Sequence, residues 1–256
     1  MIGEAAPSLP APPGPWIFDG LMMAMFKNWL SLALLLAIST SVADAAALPG
    51  WVAHGERLSY KVYLWGFAAG GAEFYYAPGR GPQQHEYRII ARLWTAGGMA
   101  RLFRVRDRVQ VEGEQDLAAH RLFLTRRFHQ RLHEGHYRAN RTVTYDRRRD
   151  AATFVNRRAP ASKPETAKLL AGMRDMFSAL YYLRATVGDA QVGRSFTVPI
   201  HDLTRSYRLK VEVVRRERLN TALGPVQTLL VRPQAQALEP HGAADADRSR
   251  LRIWVT

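Results

Sequence analysis

Polar and apolar residues alternate with period two over most of the chain after residue 55, and this pattern predicts antiparallel strands with one wet face. In "RLSYKVYLW" the residues Leu58, Tyr60, Val62 and Leu64 share one face, and Arg57, Ser59 and Lys61 share the other. "EYRIIARLW" sets Tyr87, Ile89, Ala91 and Leu93 against Glu86, Arg88 and Arg92. "FRVRDRVQVEG" sets Val105, Asp107, Val109 and Val111 against Arg106, Arg108, Gln110 and Glu112. In "HYRANRTVTYD" the inward set is Tyr137, Ala139, Val143 and Tyr145, with Arg141 as the exception. "SYRLKVEVV" places Tyr207, Leu209, Val211 and Val213 opposite Arg208, Lys210 and Glu212. Glycines and prolines fall between these runs, among them Gly66, Pro78-Gly79, Gly97-Gly98, Gly135 and Gly224-Pro225, at the spacing of an antiparallel sandwich or barrel.

One stretch changes period. "PETAKLLAGMRDMFSALYYLRATVGD" carries Met176, Phe177, Leu180, Tyr181 and Leu183 at three- and four-residue spacing, which predicts an amphipathic helix. Asp175 followed by Ser178 marks a helix start inside the stretch. An apolar helical stripe needs a sheet to cover it. The expected fold is therefore mainly β (α+β): a strongly curved antiparallel sheet, or half-open β-barrel, wrapped around one central helix.

The beginning of the chain reads differently. Residues 1–24 are Pro-rich and predict no fold, either as a disordered extension or as an over-long gene start. Lys27, the apolar run Trp29 to Ile38 broken only by Ser31, and the small residues Ala43-Asp44-Ala45 then have the order of a secretory signal. Ala45-Ala46-Ala47 is a second cleavage option. The run is about half of the ~20 residues that span a bilayer. The reading is a signal peptide over 25–45, one β-rich domain over 46–256, and a periplasmic location.

Composition narrows the chemistry. The 256 residues include no cysteine, which excludes disulfides, thiolate metal sites and a lipoprotein anchor. Without residues 1–45 the chain keeps 35 basic and 19 acidic residues, a net charge of +16. Such a balance admits nucleic acid, anionic lipid or polyanionic envelope polymers as partners, and export disfavours nucleic acid. Arginine also accumulates on solvated surfaces without any binding role.

"FHQRLHEGHYR" holds His129, His133 and His136 within eight residues. On a helix such histidines converge on a metal, but Leu122, Leu124 and Phe128 share a strand face and put His129 and Arg131 on the other. His129 and His133 would then lie about 13 Å apart along one extended strand. "HEGH" reads as a tight turn, with Gly135 free to take positive φ. The expectation is a solvated basic hairpin tip and no metal site. There is no G-x-S-x-G, H-E-x-x-H or P-loop, so no catalytic residue and no cofactor is assigned. Glu73, Asp107, Asp116 and Glu212 read as isolated acids, and "AAGGAEF" as a bulge or turn. Aromatic residues such as Tyr63 and Trp65 sit opposite Tyr60 and Leu64, so some strands are apolar on both faces.

Four segments resemble the bacterial exported family called domain of unknown function 3108, and the resemblance covers Gly55 to Thr256. They are "GERLSYKVYLWGFAAGGAEF", "EGHYRANRTVTYD", the D-x-x-S-A-L-Y-Y-L-R helix in "RDMFSALYYLR", and "ALGPVQTLLVRP". Val226 replaces an aromatic in the last, and Ala222 leaves Thr221 slightly out of frame. Family members continue past "RLRIWVT" into a further strand, so Leu251 to Val255 would form an unpaired edge. The resemblance implies an envelope location, no established activity, and an architecture similar to lipoprotein-carrier half-barrels, an analogy of fold alone. The expected function is non-enzymatic binding or carriage of an apolar or amphipathic envelope molecule, lined by Leu58, Tyr60, Val62, Leu64, Tyr87, Ile89 and Tyr181. Anionic lipid head groups would meet the arginine-rich face. The alternatives are a periplasmic scaffold docking a partner protein or anionic glycan, and an envelope-polymer hydrolase. The oligomeric state stays open.

Overall fold

The computed structural model describes residues 48–64, 67–119, 121–159, 163–188, 190–221, 224–238 and 253–255. The predicted leader, the Pro-rich stretch before it, Trp65 and Leu251 lie outside these residues. The alternating runs become antiparallel strands: β1 (Glu56–Leu64), β2 (Phe67–Pro78), β3 (Glu86–Thr95), β4 (Arg106–Asp116), β5 (Arg121–Glu134), β6 (Tyr137–Asp146), β7 (Ala151–Asn156) and β8 (Glu165–Lys168). They pair in sequence order as one eight-stranded meander. A second sheet is built from β9 (Ser195–Asp202), β10 (Arg205–Thr221), β11 (Gly224–Ala237) and β12 (Ile253–Val255), in the order β12-β11-β10-β9. Two sheets thus stand where the alternation suggested one. Periodicity assigns a strand to a face but carries no record of which strand it joins.

The predicted faces hold. Tyr87, Ile89, Ala91 and Leu93 on β3, and Asp107, Val109 and Val111 on β4, are all buried. Their outward neighbours Arg88, Arg92, Arg106 and Arg108 are exposed. β5 departs from the expected alternation. Phe123, not Leu124, is fully buried, because Phe123 takes a φ of 55° and the β4–β5 register shifts beside it. The extra residue turns the strand by one position and brings Phe123 to the core face. The glycine run also contains a bulge: Val62 pairs with Gly70 and Tyr63 with Ala68, skipping Ala69.

Three short α-helices, α1 (Gly50–His54), α2 (Gly97–Leu102) and α3 (Met176–Val187), and one 3-10 turn (Gly81–Gln83) complete the described residues. The helix predicted over the "PETAKLL…VGD" stretch is shorter than its sequence pattern. Glu165–Lys168 pairs with β7 as β8, and α3 begins only at Met176. Asp175 explains the start. Its carboxylate accepts hydrogen bonds from the Phe177 and Ser178 amides, which satisfies two of the free donors of the first turn.

α3 touches both sheets. Ala179, Leu183 and Val187 pack with Val198, Ile200, Leu209, Val211, Val213, Leu229 and Val231 of the second sheet. On the other side, the Phe177 ring lies 6.1 Å from Phe74 and 6.4 Å from Phe128. Tyr181 lies within 5.4 to 6.0 Å of Tyr76, Trp51 and Phe123. Each fully buried aliphatic or aromatic side chain here is worth roughly 1.5–3 kcal/mol. The link before α3 is also tied to both sheets. The Arg174 guanidinium donates to the Leu122 carbonyl at 2.8 and 3.0 Å, while its backbone exchanges hydrogen bonds with Pro199 and His201.

The histidine-rich segment is a hairpin. Glu134 pairs with Tyr137, so Gly135 and His136 alone make the turn. Gly135 has a φ of 53°, a backbone region that residues with a Cβ enter at a penalty. His129 hydrogen-bonds to Asn140 on the returning strand at 2.8 Å, and His136 is exposed.

Candidate functional site at the edge of the large sheet

Among the described residues β1 is an end strand of the eight-stranded sheet, with β2 as its one neighbour. Its inward residues Leu58, Tyr60, Val62 and Leu64 are half-buried, whereas Tyr87 and Ile89, two strands in, are 3% and 0% exposed. The physical cause is the edge position of β1 among the described strands. An inward side chain on a central strand is covered on both flanks, and one on an edge strand is covered on a single flank. Of the seven residues read as ligand-lining, four therefore share an accessible apolar face. Tyr87, Ile89 and Tyr181 stand behind it as packed wall. Tyr60 meets Phe74 edge-on at 5.7 Å, and Phe74 leads on to Phe177 of α3.

A polar cluster that the sequence reading missed closes one end of this face. Arg184 of α3 has a fully buried side chain and forms a bidentate ion pair with Glu56, the first residue of β1; one arm, Nη2 to Oε2, is 3.1 Å long. The guanidinium also lies 4.5 Å from the centre of the Trp51 ring and 5.4 Å from that of Tyr181, a cation–π arrangement. Burial raises the Glu56 carboxyl above its ordinary value, against the opposing pull of Arg184. Burial likewise raises Tyr60 and Tyr181. Arg184 Nε and the Tyr60 hydroxyl are buried without a hydrogen-bond partner among the described residues. The Tyr181 hydroxyl is buried beside Glu56.

Outside the ion pair, a half-open cleft of about 450 Å³ runs between His54, Arg57, Tyr75, Pro78 and Arg80, and Glu56 lines it too. Gly55 forms the corner between α1 and β1, with a φ of 85°, and a Cβ there would come within 2.8 Å of the Tyr76 carbonyl oxygen. One sequence signal could have revealed the cluster. Arg184 is three residues after Tyr181, on the apolar stripe of the helix and not on its polar side. Its partner is 128 residues away, and no spacing rule finds it.

Two further polar groupings are structural. Asp175 is fully engaged: besides the two helix amides, it accepts hydrogen bonds from Thr125 Oγ1 at 2.6 Å and from the Ser178 hydroxyl. Ser178 also meets the Tyr87 hydroxyl at 2.7 Å. Every oxygen of the Ser–Asp pair is thus committed to holding α3. The second grouping corrects the reading of Asp107 as isolated. Asp107 and Glu134 are both buried near the hairpin tip, and the Asp107 carboxylate accepts the His133 amide at 2.9 Å. Burial, with the Glu134 charge added, pushes Asp107 up to about 7; burial also raises Glu134. The other three acids face arginines, Glu73 meeting Arg57 at 2.5 Å, Asp116 meeting Arg121 at 3.2 Å and Glu212 meeting Arg232 at 3.9 Å.

The Asp107 shift has a stability consequence. Its carboxyl binds a proton more tightly when folded than when unfolded, where its value is near 3.8. The contribution is complete below about 4 and is lost as pH rises through about 7, by up to roughly 1.4 kcal/mol per pH unit. Asp107→Asn is expected to raise the urea midpoint at pH 8 and leave it nearly unchanged at pH 4. An unaltered pH profile in the variant would refute this assignment.

Among the described residues no group of three His, Asp or Glu side chains is placed to hold a metal ion. A comparison with curated proteins finds no match. Among solved structures, a beta-barrel-like protein of domain of unknown function DUF1849 from Brucella abortus aligns over 69% of this chain and 72% of its own, at 10% identity and a TM-score of 0.44. The model of the family described as "Protein of unknown function (DUF3108)" matches residues 59–256. That span takes in every strand from β2 to β12, α3 and the inward face of β1 from Tyr60 onward, and the chain belongs to this family.

Proposed function

We propose that this protein is a non-enzymatic, exported binding or carrier protein for an amphipathic molecule of the cell envelope, held along the inner face of β1. In this reading the large sheet curves over α3 as a half-open barrel, and the β1 edge is its mouth. The observation that carries the proposal is the half-exposed stripe of Leu58, Tyr60, Val62 and Leu64 beside otherwise buried strands. Apolar surface kept partly in water at an edge is where an acyl chain gains most by docking. The cleft at the end of this face, lined by His54, Arg57 and Arg80, supplies polar partners for the ligand's head.

The test is a lipid extract of the purified protein analysed by mass spectrometry, followed by displacement of a fluorescent acyl reporter. Val62→Asp, on the inward face, should weaken reporter binding at least about tenfold. Lys61→Ser, on the outward face, should leave it unchanged. No co-purified amphiphile and no reporter binding would end the proposal.

A scaffold role is the second reading, supported by the backbone edge of β1, unpaired among the described residues, which could accept a strand from a partner protein. Capture of a partner by lipid-free protein, lost on adding salt, would favour the scaffold over the carrier.

A further inference from the structure

The outward face of the large sheet holds a second built feature, independent of the β1 edge. A groove of about 380 Å³ opens on β4 to β7, lined by Arg126, Arg127, Arg157, Thr142, Thr144 and Glu112 among others. We propose that it binds a phosphate-bearing anion, a phosphomonoester that is either free or the head group of a lipid.

The charge state of the lining supports an anion. Arg127 and Arg157 are exposed and form no ion pair among the described residues. Arg126 is engaged by Glu86 at 3.2 Å and by Glu114 at 3.9 Å. Glu112, the one carboxylate in the lining, is held by Gln110 Nε2 at 2.8 Å and faces Arg88 at 3.5 Å, so its charge is already opposed. Two free guanidiniums on one groove match the oxygens of a phosphate, because each can donate two parallel hydrogen bonds.

Thr142 is the independent observation. It lines the groove, is 5% exposed, and its Oγ1 is buried with no hydrogen-bond partner among the described residues. A hydroxyl kept out of water without a partner is unfavourable, and a ligand oxygen in the groove would satisfy it. Strand register places these groups together. Arg127 lies between Glu112 and Thr144 on neighbouring strands, and Thr142 lies between His129 and Val155. Four residues further along β4 and β5, outside the groove lining, Arg108 and Arg131 stand directly opposite each other, and Arg92, opposite Arg108, meets Glu73 at 3.8 Å.

The experiment titrates the purified protein with glycerol 3-phosphate by calorimetry and, separately, with phosphatidylcholine vesicles containing phosphatidic acid by co-sedimentation. Arg127→Gln/Arg157→Gln should weaken binding more than about tenfold, and the near-isosteric Thr142→Val by about tenfold. Arg208→Gln, on the other sheet, should leave it unchanged. Vesicles bound at least about tenfold more tightly than the soluble ester would identify a head group as the source, and equal affinity a free phosphomonoester. If Arg208→Gln weakens binding as much as the groove variants, or neither probe binds, the groove is no site.

Discussion

Glu56→Ala should destabilise the protein by about 3–5 kcal/mol, the largest effect expected of any single substitution at the candidate site. Arg184 has no exposed side-chain surface, and Glu56 is its ion-pair partner among the described residues. A guanidinium cannot shed its proton, so removing the carboxylate leaves a full charge buried between Trp51 and Tyr181. Burial raises the Glu56 carboxyl against the attraction of Arg184, so at Glu56 desolvation outweighs the ionic contact, and burying an ion pair carries a desolvation cost that apolar replacements avoid. Breaking the pair and replacing it should therefore differ. The double variant Glu56→Gln/Arg184→Met should recover most of the loss, because it removes both charges and keeps the volume. Urea unfolding of the three proteins reads this directly, and a loss below about 1 kcal/mol in Glu56→Ala would mean that water reaches Arg184.

The second large effect is at Asp175. Alanine there removes the helix cap, at about 0.5–2 kcal/mol. It also strips the hydroxyls of Thr125 and Ser178 of their common acceptor in a position 1% exposed to solvent, at about 1–3 kcal/mol for each group left unsatisfied. Interactions that share one carboxylate do not add fully, so the total expected is about 3–5 kcal/mol. For a domain of this size it would appear as a fall in Tm on the order of 10 °C. Asp175→Asn keeps an acceptor for the two amides and should lose less than half as much. Near-ultraviolet circular dichroism adds a local readout, since Tyr87 is bonded to Ser178 and Tyr181 lies one turn further along α3. Equal losses in the alanine and asparagine variants would show that the carboxylate charge, and not the cap, holds α3.

The inward residues of β3 and β4 were readable without any structure, because side chains on a strand must point alternately and the core accepts one set. The start of α3 was readable for a similar local reason: Asp175 needs only the next three residues to act as a cap. The turn at Gly135 was readable too. Phe123 was not, since its inward position rests on a single residue at positive φ, and alternation alone counts through such a position without noticing it. Nor was β8. "ETAK" has no strand signature of its own and pairs because β7 offers it an open edge.

The candidate site divides along the same line. Leu58, Tyr60, Val62 and Leu64 could be assigned to one face from their spacing. Their partial exposure could not, because it depends on β1 lying at the end of the sheet. The Glu56–Arg184 pair, the Asp107–Glu134 pair and the Arg127–Arg157 groove each join residues from separate strands or from a strand and a helix. Local order by itself determined the alternating strands β1, β3, β4, β6 and β10, their faces, the cap and the hairpin turn, since each follows from the geometry of a few consecutive residues. Tertiary structure alone decided the division into two sheets, the open edge and the charged groupings. Those depend on which distant segments come into contact, and burial then sets the electrostatics of every charge brought together there.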